Sequence, residues 1–250
     1  MKEYLNKITL GDSLELPKHF DAKTVDLILE DMPYNTTQNS WEYAVNLEKY
    51  WESRKRLLKP TGVIVLTANQ PFTSELVLSN REMFKYDWIW EKSNPTNFLN
   101  AKKMPMRIFE DVLVFANGLT IYNPQGLKEC NIDVKRTTEW STDNYGKHGK
   151  EYKQTSTNYP KNIIKIQSEQ ATIHPTQKPV GLFEYLIRTY TNEGDLVFDG
   201  FGGSGTTAIA AHRSDRKFIV IEREEKYFAL ATKRLEEERK QLRLFSKNTA

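Results

Sequence analysis

Seven short runs of β-branched and aromatic residues recur along the chain, each ending in polar residues, with helically spaced segments between them. They are KITLGD (7–12), VDLILED (25–31), GVIVLTA (62–68), YDWIWEK (86–92), EDVLVFA (110–116), DLVFDG (195–200) and KFIVIE (217–222). Such alternation predicts an α/β fold, and runs this continuously apolar predict a sheet covered by helices on both faces. Leu47, Tyr50, Trp51, Arg54, Leu57 and Leu58 recur at helical spacing, so a crossover helix is expected there, closed by KPTG (59–62). From 118 to 172 the rhythm breaks: Tyr122, Trp140, Tyr145, Tyr152 and Tyr159 are scattered among lysines and asparagines, as in an insertion or small second lobe. The expected organisation is a domain made of 1–117 and 173–250, interrupted by 118–172.

With 250 residues, 38% of them hydrophobic, the chain can bury one large core. No apolar stretch approaches the roughly 20 residues of a membrane span, and MKEYLNKITLGD lacks a signal-peptide core, so a soluble, cytoplasmic protein without a membrane partner is expected. Cys130 is the single cysteine, which excludes an internal disulfide framework and a multi-cysteine zinc site; no metal is expected. The net charge of +3 permits a polyanionic partner without requiring one.

DLVFDGFGGSGTTAIAA (195–211) carries an apolar strand into a glycine-rich turn and then a helix, with Gly200, Gly202 and Gly205 in G-x-G-x-x-G register. Glycines there allow a tight turn and leave room for a ligand against the helix start, while Glu222, ending the next strand, suits ribose hydroxyls. An ordinary glycine-rich loop is the plainer alternative. No lysine follows Gly205, which disfavours the phosphate loop of nucleotide hydrolases. Only KFIVIE and a helical tail follow the loop, so the N-terminal half must supply the remaining strands. That places DMPY (31–34) and the glycine loop at carboxyl ends of one sheet, where ligands of open α/β sheets bind.

These residues resemble the amino-methylating DNA methyltransferases, in particular the permuted group whose catalytic motif precedes its cofactor motif. The shared elements are DMPY against D-P-P-Y, HPTQKP (174–179) against H-P-T-x-K-P, and DGFGGSGTT (199–207) against D-x-F-x-G-S-G-T-T, with WEKSNPTNF (90–98) and Gly11-Asp12 in addition. The resemblance covers nearly the whole chain outside the polar insertion. It implies a Rossmann-like S-adenosylmethionine-dependent methyltransferase fold, with S-adenosylmethionine as cofactor and double-stranded DNA as partner.

The resemblance implies a catalytic set of Asp31, Met32, Pro33 and Tyr34. An exocyclic amine is a poor nucleophile because its lone pair is delocalised into the ring; a carboxylate and a backbone carbonyl accepting its two N–H bonds would localise the pair and aim it at a methyl sulfonium. Tyr34 would stack on the flipped base, and Pro33 would stiffen the loop. Met32 departs from the family's proline at a position that supplies a carbonyl, so the change should be tolerated. As the plainer alternative, Asp31 caps a turn and Tyr34 is core. The implied cofactor set is Asp199, Gly200, Phe201, Gly202, Gly203, Ser204, Gly205 and Thr206, with Glu222 on the ribose and Asp12 near the adenine. His174, Thr176 and Lys178 would line the methionyl end, although His-Pro also simply starts a turn before the helix expected over 180–190. WEKSNPTNF would line the base pocket, with Trp88 and Trp90 weighed first as packing.

Lys102, Lys103 and Arg107 form the best basic cluster for DNA phosphates, against the plainer reading of a solvated loop. The insertion stands where the family carries target recognition. The tail from Arg223 is a charged amphipathic helix, read as a surface helix before a dimer seam. The expected reaction is therefore methylation of adenine N6 in DNA. N4-cytosine methylation is the runner-up, followed by a nicotinamide-dependent oxidoreductase and a catalytically dead nucleic-acid-binding module. C5-cytosine chemistry is disfavoured because Cys130 lies inside the insertion. A homodimer and a companion restriction nuclease remain open.

Overall fold

The computed structural model describes residues 1–34, 45–135, 140–142, 146–148, 151–169 and 177–247. Its elements run β1 (Lys7–Leu10), β2 (Val25–Glu30), α1 (Leu47–Leu57), β3 (Leu58–Ala68), α2 (Phe72–Ser79), β4 (Phe84–Thr96) and β5 (Arg107–Ala116). After these come β6 (Lys128–Lys135), β7 (Trp140–Thr142), β8 (Gly146–His148), β9 (Glu151–Thr157) and β10 (Ile163–Lys165). The chain closes with α3 (Val180–Tyr190), β11 (Leu196–Asp199), α4 (Thr206–Arg213), β12 (Lys217–Glu222) and α5 (Glu225–Lys247).

Eight strands form one sheet in the order β1-β12-β11-β2-β3-β5-β4-β10. All neighbours are parallel except β5, which runs antiparallel to both β3 and β4. The first and last parts of the chain thus interleave: β1 sits on β12, and β11 pairs with β2, so the strand that enters the glycine-rich turn is the direct neighbour of the strand that leads into DMPY. Alternate residues of β2 face opposite ways, as a pleated strand requires. Leu27 and Leu29 join a core with α3, α4 and α5, whereas Ile28 joins a second core with Tyr50 and Trp51 of α1 and Phe72 of α2. The sheet is covered on both faces, as its apolar runs predict. Trp88 and Trp90 are core residues on β4.

One local expectation is corrected. KPTG does not lie outside the sheet but within β3, where the register against β2 shifts between Val25 and Leu27. The bulge absorbs the extra residues, and Lys59 pairs with Asp26 across it at 2.7 Å. A proline and a glycine that read as punctuation are therefore accommodated by a ladder irregularity.

Two compact units are present, Met1–Asn123 with Asn162–Ala250, and Pro124–Lys161. Within the second, β6 and β9 form an antiparallel hairpin and β7 pairs with β8. Residues 118–123 and 162–169 belong to the first unit. Among the described residues, no helix is long and apolar enough to cross a membrane.

Candidate active site

β2, β11 and β12 are adjacent and parallel, so the acidic residues that end them emerge at one edge of the sheet. A cavity of about 580 Å³ opens there, lined by the whole of DMPY, by Asp199 to Ser204 and by Glu222. Trp90, Lys92, Asn94, Pro95 and Thr96 of β4, with Arg107 of β5, form another wall. The catalytic and glycine-rich motifs, 165 or more residues apart in sequence, therefore share one space.

Asp31 sits one residue beyond β2 with both carboxylate oxygens engaged. Oδ1 accepts the Tyr34 hydroxyl at 2.7 Å and the Thr67 hydroxyl, and Oδ2 accepts the Lys178 ammonium at 2.7 Å. Lys178 also contacts Glu110 at 3.1 Å, and Glu110 pairs with Lys92 on β4. The result is an alternating chain of charges, Asp31, Lys178, Glu110 and Lys92, mostly out of solvent. Burial pulls the Lys178 ammonium toward neutrality, but the Asp31 and Glu110 carboxylates outweigh it and hold its pKa above the usual lysine value. Burial likewise raises Glu110, and Lys178 and Lys92 overcome that and leave it below the usual carboxylate range. Burial, with Asp31 and Glu110 nearby, pushes Tyr34 well up, so its phenol stays protonated and donates. The Tyr34 ring lies 5.7 Å from that of Phe72.

A second buried charge supports the same edge. Glu30 is the last residue of β2, and it is matched by Arg54 from α1 at 2.8 Å, both fully buried. Tyr50 donates to Glu30 at 2.5 Å, and the backbone N–H of Gly200 donates to it at 2.9 Å. Arg54 reaches on to the Ser13 carbonyl at 2.8 Å. This node ties β2, α1, the turn after β1 and the start of the glycine loop together.

The glycine loop is packed against protein more closely than its sequence implies. A Cβ on Gly200 would collide with the Arg54 guanidinium, and one on Gly202 would lie 2.6 Å from Val220 Cγ1 and 3.1 Å from the Ile221 carbonyl. The space expected for a ligand at those two Cβ positions is thus filled by Arg54 and β12, which corrects the reason for the glycines while leaving the loop on the cavity wall. Asp199 accepts the Phe201 N–H at 2.8 Å and the Thr207 hydroxyl. Burial, reinforced by Glu30, pushes its pKa up to about 8 despite those donors. Glu222 accepts the N–H of Gly203 at 2.6 Å and of Glu224 at 2.7 Å, and burial raises its pKa against these bonds.

The remaining sequence candidates divide. Thr206 lines the cavity, whereas Gly205 ends the loop with a left-handed φ of 76° and N-caps α4. Asp12 does not line it: its carboxylate accepts the N–H of Leu14 at 2.8 Å and Glu15 at 3.1 Å, capping the turn after β1. Lys178 lines the cavity but commits its ammonium to Asp31 and Glu110. His174 and Thr176 lie outside the described residues. Arg107 is on the wall; Lys102 and Lys103 are exposed on the turn beyond it. Met32 is buried in the α1 and α2 core, occupying with a flexible side chain the place of the family's proline.

Sequence reasoning missed Glu30, Arg54, Thr67 and Glu110 as members of the site, whereas Lys92 lies in the WEKSNPTNF segment expected at the pocket. The first two carried a signal: an ionisable residue at the end of an apolar strand, and an arginine on the apolar stripe of the next helix, each needing a buried partner. Glu169 and Arg234 were also missed. Arg234 on α5 pairs with Glu169 at 3.1 Å and reaches the Ser204 carbonyl at 3.2 Å, while Glu169 accepts the first N–H of α3 at 3.0 Å.

Among the described residues, no group of three or more His, Cys, Asp or Glu is placed to hold a metal ion. The chain's residues do fit S-adenosylmethionine: the lining offers a glycine loop leading into α4, a carboxylate at the end of β12, and Asp31 beyond the neighbouring strand β2.

A family model described as DNA methylase, N6_N4_Mtase, matches residues 25–233. DNA adenine methyltransferase YhdJ of Escherichia coli K12 is 29% identical over 245 residues, covering 90% of this chain and 81% of that protein. Type II methyltransferase M2.DpnII of Streptococcus pneumoniae is 26% identical over 271 residues, covering 95% and 93%. The crystal structure of the M1.HpyAVI complex with S-adenosylmethionine superposes with a TM-score of 0.67 at 26% identity, covering 92% of this chain and 98% of that one.

Proposed function

The chain belongs to the DNA methylase family, and from that premise we propose that it transfers a methyl group from S-adenosylmethionine to the N6 amine of adenine in double-stranded DNA. The observation that carries this reading is the single cavity shared by Asp31 and the glycine loop. Adenine is favoured over cytosine by the aspartate that opens DMPY and by the adenine specificity in the name of a relative that spans most of the chain. The N4-cytosine reading stays second because the family model embraces both amines.

When bound, the cofactor supplies an electrophilic methyl on a sulfonium. The protein's part is to make the amine nucleophilic. Asp31 Oδ2, which has a second lone pair beside the one that faces Lys178, accepts one amine N–H, and a backbone carbonyl of the Met32 to Pro33 segment accepts the other. Lys178 anchors Oδ2 of the Asp31 carboxylate, while Tyr34 and Thr67 on Oδ1 fix its plane. Asp31 is also the adjacent base for the proton the amine loses once the new C–N bond forms. Glu222 and the loop from Asp199 to Thr206, with Phe201 and Ser204 in the cavity lining, would hold the cofactor. The phosphates beside the flipped base meet Lys102, Lys103 and Arg107, and unit Pro124–Lys161 reads sequence. The same proposal makes the enzyme cytoplasmic, extends to a homodimer, and includes a companion restriction nuclease because one relative is a type II methyltransferase.

The test is direct. Genomic DNA lacking methylation is incubated with the protein and isotopically labelled S-adenosylmethionine, then digested to nucleosides. Label in N6-methyladenine at a fixed sequence is expected; label in N4-methylcytosine transfers the assignment to the second reading, and unlabelled DNA refutes both.

A further inference from the structure

β4 and β5 continue as an antiparallel hairpin past the wall of the cavity, their last paired residues being Thr96 and Arg107. Beyond them the tip carries Phe98, 71% exposed, Leu99, 84% exposed, and Met104 and Met106, each about half exposed. Large apolar side chains gathered on one tip are costly in water unless something covers them. The turn that presents them is internally tied: Asn100 donates to Asn97 Oδ1 at 2.7 Å, and the N–H groups of Lys103 and Met104 donate to the Asn100 carbonyl at 2.8 and 3.0 Å. From 93 to 109 there is no acidic residue, while Lys102, Lys103 and Arg107 are basic. Positive charge without acidic relief, around apolar side chains, complements a polyanion with an apolar interior, which describes a nucleic-acid duplex.

Position sharpens the match, because Asn94, Pro95, Thr96 and Arg107 at the root of the hairpin line the cavity itself. We propose that the hairpin tip is a duplex-opening wedge: Phe98 and Leu99 enter the base stack beside the target nucleotide while Lys102 and Lys103 hold flanking phosphates. This rests on the reading of the cavity as a DNA-base methylation site. A base must leave its stack to reach Asp31, and an apolar side chain that fills the gap offsets part of the unstacking cost.

The experiment compares wild type with the F98A/L99A double variant, whose side chains contribute little to the folded core. Two duplexes are built around a site mapped by methylation of genomic DNA, one fully paired and one with an abasic position opposite the target, which is already loosened. The expected result is a loss of roughly tenfold or more in kcat/KM on the paired duplex and near wild-type rates on the loosened one, with unchanged affinity for S-adenosylmethionine. Fluorescence of 2-aminopurine at the target position should fall in parallel on the paired duplex. Equal losses on both duplexes, or none, would overturn the wedge. Conversion of a wild-type dimer to an active monomer, with full activity on paired DNA, would assign the tip to a second copy of the chain and overturn it equally. If wild type methylates neither duplex nor genomic DNA, the methyltransferase reading itself falls, which the double variant's selective defect cannot mimic.

Discussion

Under the proposed chemistry the residue with the most consequence is Lys178, since it touches both the Asp31 and the Glu110 carboxylates. Replacing it by methionine removes the stronger of the two cations that hold Glu110 below the usual carboxylate range, so the Glu110 carboxyl rises. A raised carboxyl is ionised only at higher pH. The expected outcome is a kcat profile whose acidic limb moves to higher pH, with activity recovering as pH increases and affinity for S-adenosylmethionine largely kept; Lys178→Arg should restore most of the profile. A pH profile parallel to wild type would remove Lys178 from the positioning role. Asp31→Ala, by contrast, should abolish transfer at every pH while calorimetry still detects cofactor binding, because that carboxylate acts on the amine. Asp199 gives a stability prediction of opposite sign to an ordinary surface aspartate. Its folded pKa of about 8 lies above the unfolded value of about 3.9, so the native state holds an extra proton between them. Its contribution is complete below the unfolded value and is lost as pH rises through about 8. Melting temperature of the cofactor-free protein should therefore fall toward alkaline pH, and Asp199→Asn should flatten that slope.

At the scale of elements, the glycine loop is held from behind. Gly202 packs on β12 and Gly200 on Arg54, so alanine at either position first strains the loop and only then weakens the cofactor. Gly202→Ala is expected to lower melting temperature even without ligand; unchanged stability with lost binding would return the glycine to a ligand-clearing role. Arg54 joins α1 to β2 and the loop. Arg54→Leu abandons Glu30 as a buried, unpaired carboxylate, which should cost roughly 3–5 kcal/mol in denaturant unfolding. Substituting Glu30 and Arg54 together by apolar residues should recover much of that loss, since no orphaned charge remains, although the Tyr50 hydroxyl, the Gly200 N–H and the Ser13 carbonyl each lose a partner.

For the whole molecule, the first unit holds the entire cavity, and Pro124–Lys161 is a separate compact unit inserted in it. Exchanging Pro124–Lys161 for the matching segment of a relative should change which DNA sequence is methylated while cofactor affinity and Asp31-dependent transfer persist, because sequence is read at base edges. An active hybrid that keeps the original site places recognition on the first unit. Neutralising Lys102 and Lys103 should act differently, weakening cognate and unrelated duplexes about equally. Each lost phosphate contact should flatten the log–log salt dependence by roughly 0.9, measured by fluorescence anisotropy across salt.

The sequence by itself determined seven of the eight strands of the main sheet, leaving β10 and α2 unread, and the two halves of the candidate site. Apolar runs of period two and near-continuous burial made β2, β3, β11 and β12 legible, and α3 occupies the span expected for it, 180–190, because proline and helical spacing are local signals. Motif order placed Asp31 and the glycine loop at strand ends of one sheet. What only the tertiary structure decided were relations between residues distant in sequence: that Lys178 reaches Asp31 across 147 positions, that Arg54 neutralises Glu30 beneath Gly200, and that Asp12 turns to cap its own loop. Local pattern cannot report these, because a buried charge is fixed by whichever partner the fold brings within hydrogen-bond distance, and a sequence records the charge without its partner.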